Sequence, residues 1–243
     1  TVDDKGLFFR TAPSDAREGE IAADIMTERG IKTAALTYSN SDYGKGLAEA
    51  IQKAFEAKGG KITISAAHED GKADYSAEVA SLASADGDIL IVAGYVDQGG
   101  SGVIRAAIDT GAFTKFELPG GMISDTLTQN VPEGLNGSFG QVPGNDSPGL
   151  KTLGDMSGGK FDVSSPYTPE SYDAAALMLL AMQAAKSSKS ADYGPKIMDL
   201  ANAPGEQIFP GELAKALQII KDGGDIDYQG ASAVELIGPG ESA

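Results

Sequence analysis

The feature that most constrains this chain is a rhythm over residues 33–119, where short apolar, β-leaning runs alternate with one-sided helices. Its sharpest beat is DILIVAG at 88–94, apolar at nearly every position. A strand with one wet face alternates apolar and polar residues. One that is apolar throughout is covered on both faces, as in a parallel sheet between helical layers. Around it, 33–38 (TAALTY) and 62–67 are expected strands, with 116–118 as a fourth. Leu47, Ala50, Ile51, Ala54 and Phe55 fall at i, i+3, i+4 spacing, the stripe of a helix buried on one side. Asp42 is its expected N-cap and Gly59-Gly60 its stop. Further helices are expected over 75–85, with Val79 and Leu82 inward, and over 101–110, with Val103, Ile104, Ala107 and Ile108. Such alternation predicts an α/β fold, a doubly wound parallel sheet with right-handed crossovers.

On the N-terminal side, 7–10 is an expected strand and 14–29 a helix with Ile21, Ala22, Ile25 and Met26 inward. After Gly120 the character changes. A Gly/Pro/Asn-rich passage ending at Pro148 (PEGLNGSFGQVPGNDSP) surrounds one strand-like piece, 135–142, and marks a boundary or crossover. Helices then dominate. The segment 170–187 is apolar around most of its circumference, which predicts deep burial, and 211–222 is amphipathic through Leu213, Leu217 and Ile220. The tail, 228–243, is loop-rich with one expected strand, 233–237. These helices have hardly any sheet of their own to pack on. Their covering layer is either the first half or strands outside this sequence.

Composition removes several functions. The 243 residues carry 19 Lys and Arg against 35 Asp and Glu, a net charge of −16 that repels nucleic-acid backbones and anionic lipid surfaces. Apolar residues make up 41%, enough for a packed core. With no cysteine there are no disulfides, thiolate metal sites or Cys nucleophile. The longest nearly apolar stretch, 174–185, is broken by Gln183 and is shorter than the ~20 residues a bilayer span needs. No basic segment followed by an apolar one opens the chain, so any export signal is expected to have been removed or never to have existed.

Catalytic patterns are missing too. The one histidine, His68, ends a strand, where a surface or loop position is the ordinary expectation. Ser101 (GGSGV) and Ser138 (NGSFG) each lack a glycine of the nucleophile elbow. None of the four Gly-Lys pairs precedes Ser or Thr, as a phosphate loop requires. Gly100-Ser101-Gly102 follows a strand and opens a helix, but Arg105 stands where a dinucleotide fingerprint has its third glycine. It serves either a polar ligand group at a helix N-terminus or simply a tight turn. His68, Glu69 and Asp70 are consecutive and diverge, which argues for a solvated acidic turn over a metal site. No metal, cofactor or enzymatic activity is expected.

In doubly wound sheets ligands bind beyond the carboxyl ends of the strands. Here those ends carry Ser39-Asn40-Ser41-Asp42-Tyr43, then Tyr95-Val96-Asp97, then Gly120-Gly121-Met122. Two tyrosines, small hydroxyls, an acid and glycines that expose backbone suit a small polar or amphipathic solute. Tyr43, Tyr95, Asp97, Gly120 and Met122 are accordingly the candidate ligand-binding residues. Tyrosines at strand ends are equally common as packing residues.

The ordered series FFRTAPSDAREG, SNSDYGKGLAEAIQKAFEAKGG, DILIVAGYVDQGG and PGGM resembles the type I periplasmic solute-binding proteins of branched-chain amino acid ABC transporters, the Leu/Ile/Val-binding family. SYDAAALMLLAMQAA and DYQGASAVEL resemble later segments of the same family. The resemblance implies two α/β lobes that close on a ligand and deliver it to a membrane permease, outside the cytoplasm. It implies a complete lobe at 14–134, crossover segments at 1–13 and 135–146, the helical remainder of an incomplete second lobe at 147–227, and a tail, 228–243, returning towards the first. Segments 11–14 and 140–144 would be the hinges. It places Tyr43 and Tyr95 against the ligand. Where the family usually has an acid for the ligand's ammonium group, this chain has Gly120, leaving Asp97 or Asp125 as replacements or a ligand that is not an α-amino acid. The residues that usually precede FFRTAP, and a strand after Ser242, are missing. Their loss would weaken or abolish binding.

The expected function is therefore that of a solute-binding component of an ABC importer for an amino acid or related solute. A sensing receptor or regulator of the same fold, without transport, is the alternative. A small α/β enzyme would need a catalytic set that the sequence lacks.

Overall fold

The computed structural model describes residues 4–144 and 146–242. They divide into two units, Asp15–Val142 and a second made of the chain up to Ser14 together with the chain from Pro143 onward.

The Asp15–Val142 unit runs α1 (Asp15–Glu28), β1 (Thr33–Ser39), α2 (Asp42–Ala57), β2 (Lys61–His68), α3 (Ser76–Ser84), β3 (Ile89–Ala93), α4 (Ser101–Asp109), β4 (Phe116–Leu118), α5 (Asp125–Asn130) and β5 (Phe139–Gly140). All five strands are parallel, in the order β2-β1-β3-β4-β5, with Ala34 opposite Ile89 and Thr37 opposite Val92. Side chains of β3 take alternate faces, as the two-residue period of a strand requires. Ile89, Ile91 and Ala93 meet α1 and α2 through Met26, Leu47, Ile51 and Phe55. Leu90 and Val92 meet α3 and α4 through Val79, Leu82, Val103 and Ile104. Every β3 residue is buried, which is why the run carries no polar alternation. Truncating Phe55, which is fully buried, to alanine would cost about 3–5 kcal/mol.

α1 and α2 cross closely. A Cβ on Gly19 would lie 2.7 Å from the Ala50 carbonyl carbon and 2.9 Å from its Cβ, so only glycine lets the two backbones approach there. The cap of α2 is Ser41, not Asp42: the Ser41 hydroxyl accepts the Gly44 amide at 3.1 Å, and Asp42 is the first helical residue.

The second unit carries α6 (Pro148–Ser157), α7 (Thr168–Ala185), α8 (Ser190–Tyr193), α9 (Ile197–Leu200), β6 (Glu206–Ile208), α10 (Leu213–Lys221), β7 (Ile226–Tyr228), β8 (Leu236–Ile237) and β9 (Glu241–Ser242). β6 and β7 pair in parallel, and β8 and β9 antiparallel. Its core gathers Leu177, Leu180, Ile197, Leu200, Ile208, Tyr228 and Leu236. Two expectations are corrected here. Residues 7–10 form no strand; Arg10 makes one backbone bond to Gly240 and an ion pair of 2.8 Å with Glu241. α7 is buried on one side only: Leu177 and Leu180 are covered, whereas Met178 is 42% and Leu179 55% exposed. The chain after β7 folds around Asp173. That fully buried carboxylate accepts from the Tyr228 hydroxyl (2.9 Å), the Ala231 amide (2.8 Å), and the amide and hydroxyl of Ser232 (2.7 and 2.6 Å). Gly230 sits in the same turn at φ +59°, where a Cβ would run into the Asp173 carboxylate.

Candidate functional site

The strand order puts the change of winding direction between β1 and β3. Beyond the carboxyl ends of two such strands a crevice opens, the place where doubly wound sheets take ligands. β1 leads through Ser39–Ser41 into α2, whose first turn carries Tyr43. β3 leads through Gly94 to Tyr95. The two rings stack, with centroids 4.8 Å apart and planes at 26°. Tyr95 is 36% exposed and Tyr43 half-buried, so the pair presents aromatic surface at the sheet edge. Burial, and then the nearby Asp15, push the Tyr95 phenol above its ordinary pKa, so it stays a neutral donor.

After Tyr95 the backbone makes a turn of π-helix, Val96–Gly100, in which the amides of Gln98, Gly99 and Gly100 converge on the Tyr95 carbonyl at 3.4, 3.4 and 3.0 Å. The glycines around it are explained by close packing. A Cβ on Gly99 would meet the Tyr75 hydroxyl at 2.9 Å, one on Gly100 would strike the Met122 sulphur, and one on Gly102 would lie 2.6 Å from the Tyr75 ring. Of the two readings of Gly100-Ser101-Gly102, the tight turn is the one with a contact behind it.

The third strand end, β4, gives a 3-10 turn at Gly120–Met122. Gly121 lies beneath both tyrosines: a Cβ on it would be 2.9 Å from the Tyr43 hydroxyl oxygen and 3.2 Å from the Tyr95 ring. Gly120 is buried and donates its amide to Glu18 Oε1 at 2.6 Å. Met122 is fully buried in the core, so it supports the turn from below and presents nothing to a solute. Asp97 and Asp125 are exposed; the carboxylate at the Gly120 backbone is Glu18, from α1. Burial raises the Glu18 pKa, opposed by the Gly120 amide, with Asp15 adding to the rise. The sequence signal for Glu18 was only an acid in the first turn of a helix, 102 residues from its partner.

His68 is not a surface residue. It is 1% exposed, with Nδ1 2.9 Å from the Thr37 hydroxyl oxygen and its ring edge-on to Tyr75 at 6.0 Å. Burial lowers its pKa, against the opposing pull of Asp70, Glu78 and Glu69. The adjacent acids tie loops together: Ser39 donates to Asp70 at 2.7 Å and Asn40 to Glu69 at 2.6 Å. Among the described residues no group of three or more His, Asp or Glu side chains is placed to hold a metal ion, and no helix is long and apolar enough to cross a membrane.

A family model described as periplasmic binding protein matches residues 3–203. The Leu/Ile/Val-binding protein homolog 1 of Brucella melitensis is 30% identical over 196 residues, covering 78% of this chain and 51% of that protein. The leucine-, isoleucine-, valine-, threonine-, and alanine-binding protein of Pseudomonas aeruginosa is 27% identical over 138 residues, covering 56% of this chain and 37% of its own. The chain thus spans about half the length of the first of these curated relatives and less of the second. Among solved structures, the leucine binding protein LivK of Thermotoga maritima superposes with a TM-score of 0.77 at 19% identity, over 96% of this chain and 61% of that one. An R. palustris ABC-transporter solute binding protein in complex with 4-hydroxybenzoate gives 0.64 at 20% identity, over 80% and 55%.

Proposed function

The chain belongs to the periplasmic binding protein family, and from that premise we propose that it is a non-enzymatic, extracytoplasmic solute-binding component of an ABC importer that takes an amino acid or a close analogue. The observation that carries this reading is the stacked Tyr43–Tyr95 pair at the carboxyl edge of the sheet, on either side of the change in winding. Its rings offer a flat apolar face with hydroxyls at the rim. The carboxylates of Asp15 and Glu18 lie near it, one raising the Tyr95 phenol and the other holding Gly120. An aromatic face beside carboxylates suits a ligand with an ammonium group, through cation–π and charge-assisted contacts. The names of the Brucella and Pseudomonas relatives agree with such a ligand.

Function then follows by closure. The chain passes between its two units at Ser14/Asp15 and at Val142/Pro143; segments 11–14 and 140–144 are the proposed hinges. A ligand that binds the closed form better shifts the population towards it, and a permease that reads the closed form receives the solute. The test is calorimetric titration of the 243-residue chain with L-leucine, L-valine and 4-hydroxybenzoate, beside native mass spectrometry for a co-purified small molecule. L-leucine or L-valine should bind weakly, as expected of a chain without the residues that usually precede FFRTAP, and the Tyr43→Ala/Tyr95→Ala double variant should lose that affinity by tenfold or more, about the value of two aromatic contacts. Unchanged affinity in the double variant sinks the site. Binding of 4-hydroxybenzoate alone replaces the ligand class.

A further inference from the structure

The buried backbone of Gly120 poses a hydrogen-bonding problem. Past Leu118, which pairs with Gly140, the β4 ladder ends, and the next amides must find other acceptors. Met122 solves its part locally, donating to the Pro119 carbonyl at 2.7 Å while its side chain enters the core. Gly120 has no such local solution. Its amide goes to Glu18 Oε1, a charge-assisted bond from a helix 102 residues away in sequence. The turn is thus fastened at one end by Met122 and at the other by Glu18. Gly121 lies between the two fastenings, within contact of both tyrosines, at a position too tight for any side chain.

We propose that Glu18 is the positioning residue of the tyrosine platform: by accepting the Gly120 amide it holds the 120–122 turn against Tyr43 and Tyr95 at the separation where the rings stack. This rests on the reading of those tyrosines as ligand contacts. Glu18 reaches this turn through the Gly120 backbone amide. Without an acceptor there, either a buried amide is left unpaired or the turn lifts towards water and draws Gly121 away from the rings. Glutamine keeps an acceptor oxygen at the same reach; alanine does not.

The experiment uses the 243-residue chain, isotopically labelled, with Glu18→Gln and Glu18→Ala. In the unsubstituted protein the Gly120 amide resonance should move with pH as Glu18 titrates, Asp15 and the coupled Glu117 being the other carboxyls that face it, with Glu117 adding a separate step near pH 8. In Glu18→Gln its hydrogen exchange should stay within about threefold of the parent, whereas in Glu18→Ala it should rise about tenfold or more. With L-leucine as the probe, Glu18→Ala should lose about tenfold in affinity and Glu18→Gln should recover most of it. A Gly120 amide that ignores pH, or that exchanges equally in parent and Glu18→Ala, overturns the proposal. If Glu18→Ala fails to fold, the parent's titration and the Glu18→Gln exchange decide the matter. If the parent does not bind L-leucine, the proposed ligand class fails, while the two Gly120 measurements still test Glu18.

Discussion

At the scale of single residues, Glu117 is a fully buried carboxyl whose ionisation the fold opposes. It sits in β4, opposite Ile91 on one side and Phe139 on the other, with no exposed surface. Neither carboxyl oxygen makes a full hydrogen bond within the described residues, although Gln141 lies near enough to favour the ionised form. Burial pushes its pKa from 4.5 to about 8. For a carboxyl raised by folding, the folded state holds the proton over the interval between the two values. Stability is then complete below pH 4.5 and is lost progressively as pH rises towards 8. By pH 7 that loss is of the order of 3 kcal/mol. Glu117→Gln should therefore flatten the decline and raise the melting temperature at pH 7, while changing little at pH 4. Denaturant midpoints that fall with pH equally in both proteins would refute this. Such groups mark the limit of what a sequence discloses about a site. The position of Tyr43 and Tyr95 at the sheet edge was legible, because parallel winding puts every strand's carboxyl end on one edge. Glu18 and the burial of His68 were not, because each depends on a partner chosen by tertiary packing.

At the scale of elements, legibility follows length. β1, β2 and β3 run five to eight residues, long enough for their apolar pattern to be read, and the helices between them carry full stripes. β5, β8 and β9 have two residues each, too few to show any period, and the residues at 7–10 that looked like a strand have no ladder to join. α7 is apolar around most of its circumference, which predicts deep burial, yet only the face bearing Leu177 and Leu180 is covered. What anchors α7 is a polar contact that periodicity cannot reveal. Asp173 gathers Tyr228 from the end of β7 and two residues of the turn after it, and the desolvation of its carboxyl outweighs those four donors enough to raise its pKa. Asp173→Ala would leave buried donors unpaired and should destabilise this unit by about 3 kcal/mol. The Ala231 and Ser232 amides should lose their exchange protection first. If they keep it in the variant, the turn does not depend on Asp173.

At the scale of the whole chain, the two units differ in how completely each covers its own apolar surface, and that difference should be visible in unfolding. In Asp15–Val142 a five-stranded sheet is packed on both faces, with one core built on α1 and α2 and the other on α3 to α5. Every residue of those cores comes from within the unit. The second unit has a single core over two two-stranded sheets, and it leaves Met156, Phe161, Met178, Leu179 and Ile237 between 42% and 55% exposed. Buried apolar area is the main favourable term in folding, at ~25 cal/mol per Å². The unit that leaves more of its apolar side chains in water should therefore open at lower free energy. Amides in α7 and α10 should then exchange about a hundredfold faster than those of Leu36 and Ile91. Urea titration should give two transitions, the earlier one helical, in place of one. A single transition, coincident by circular dichroism and by exchange across both units without ligand, would mean that the second unit is held by more than its own core.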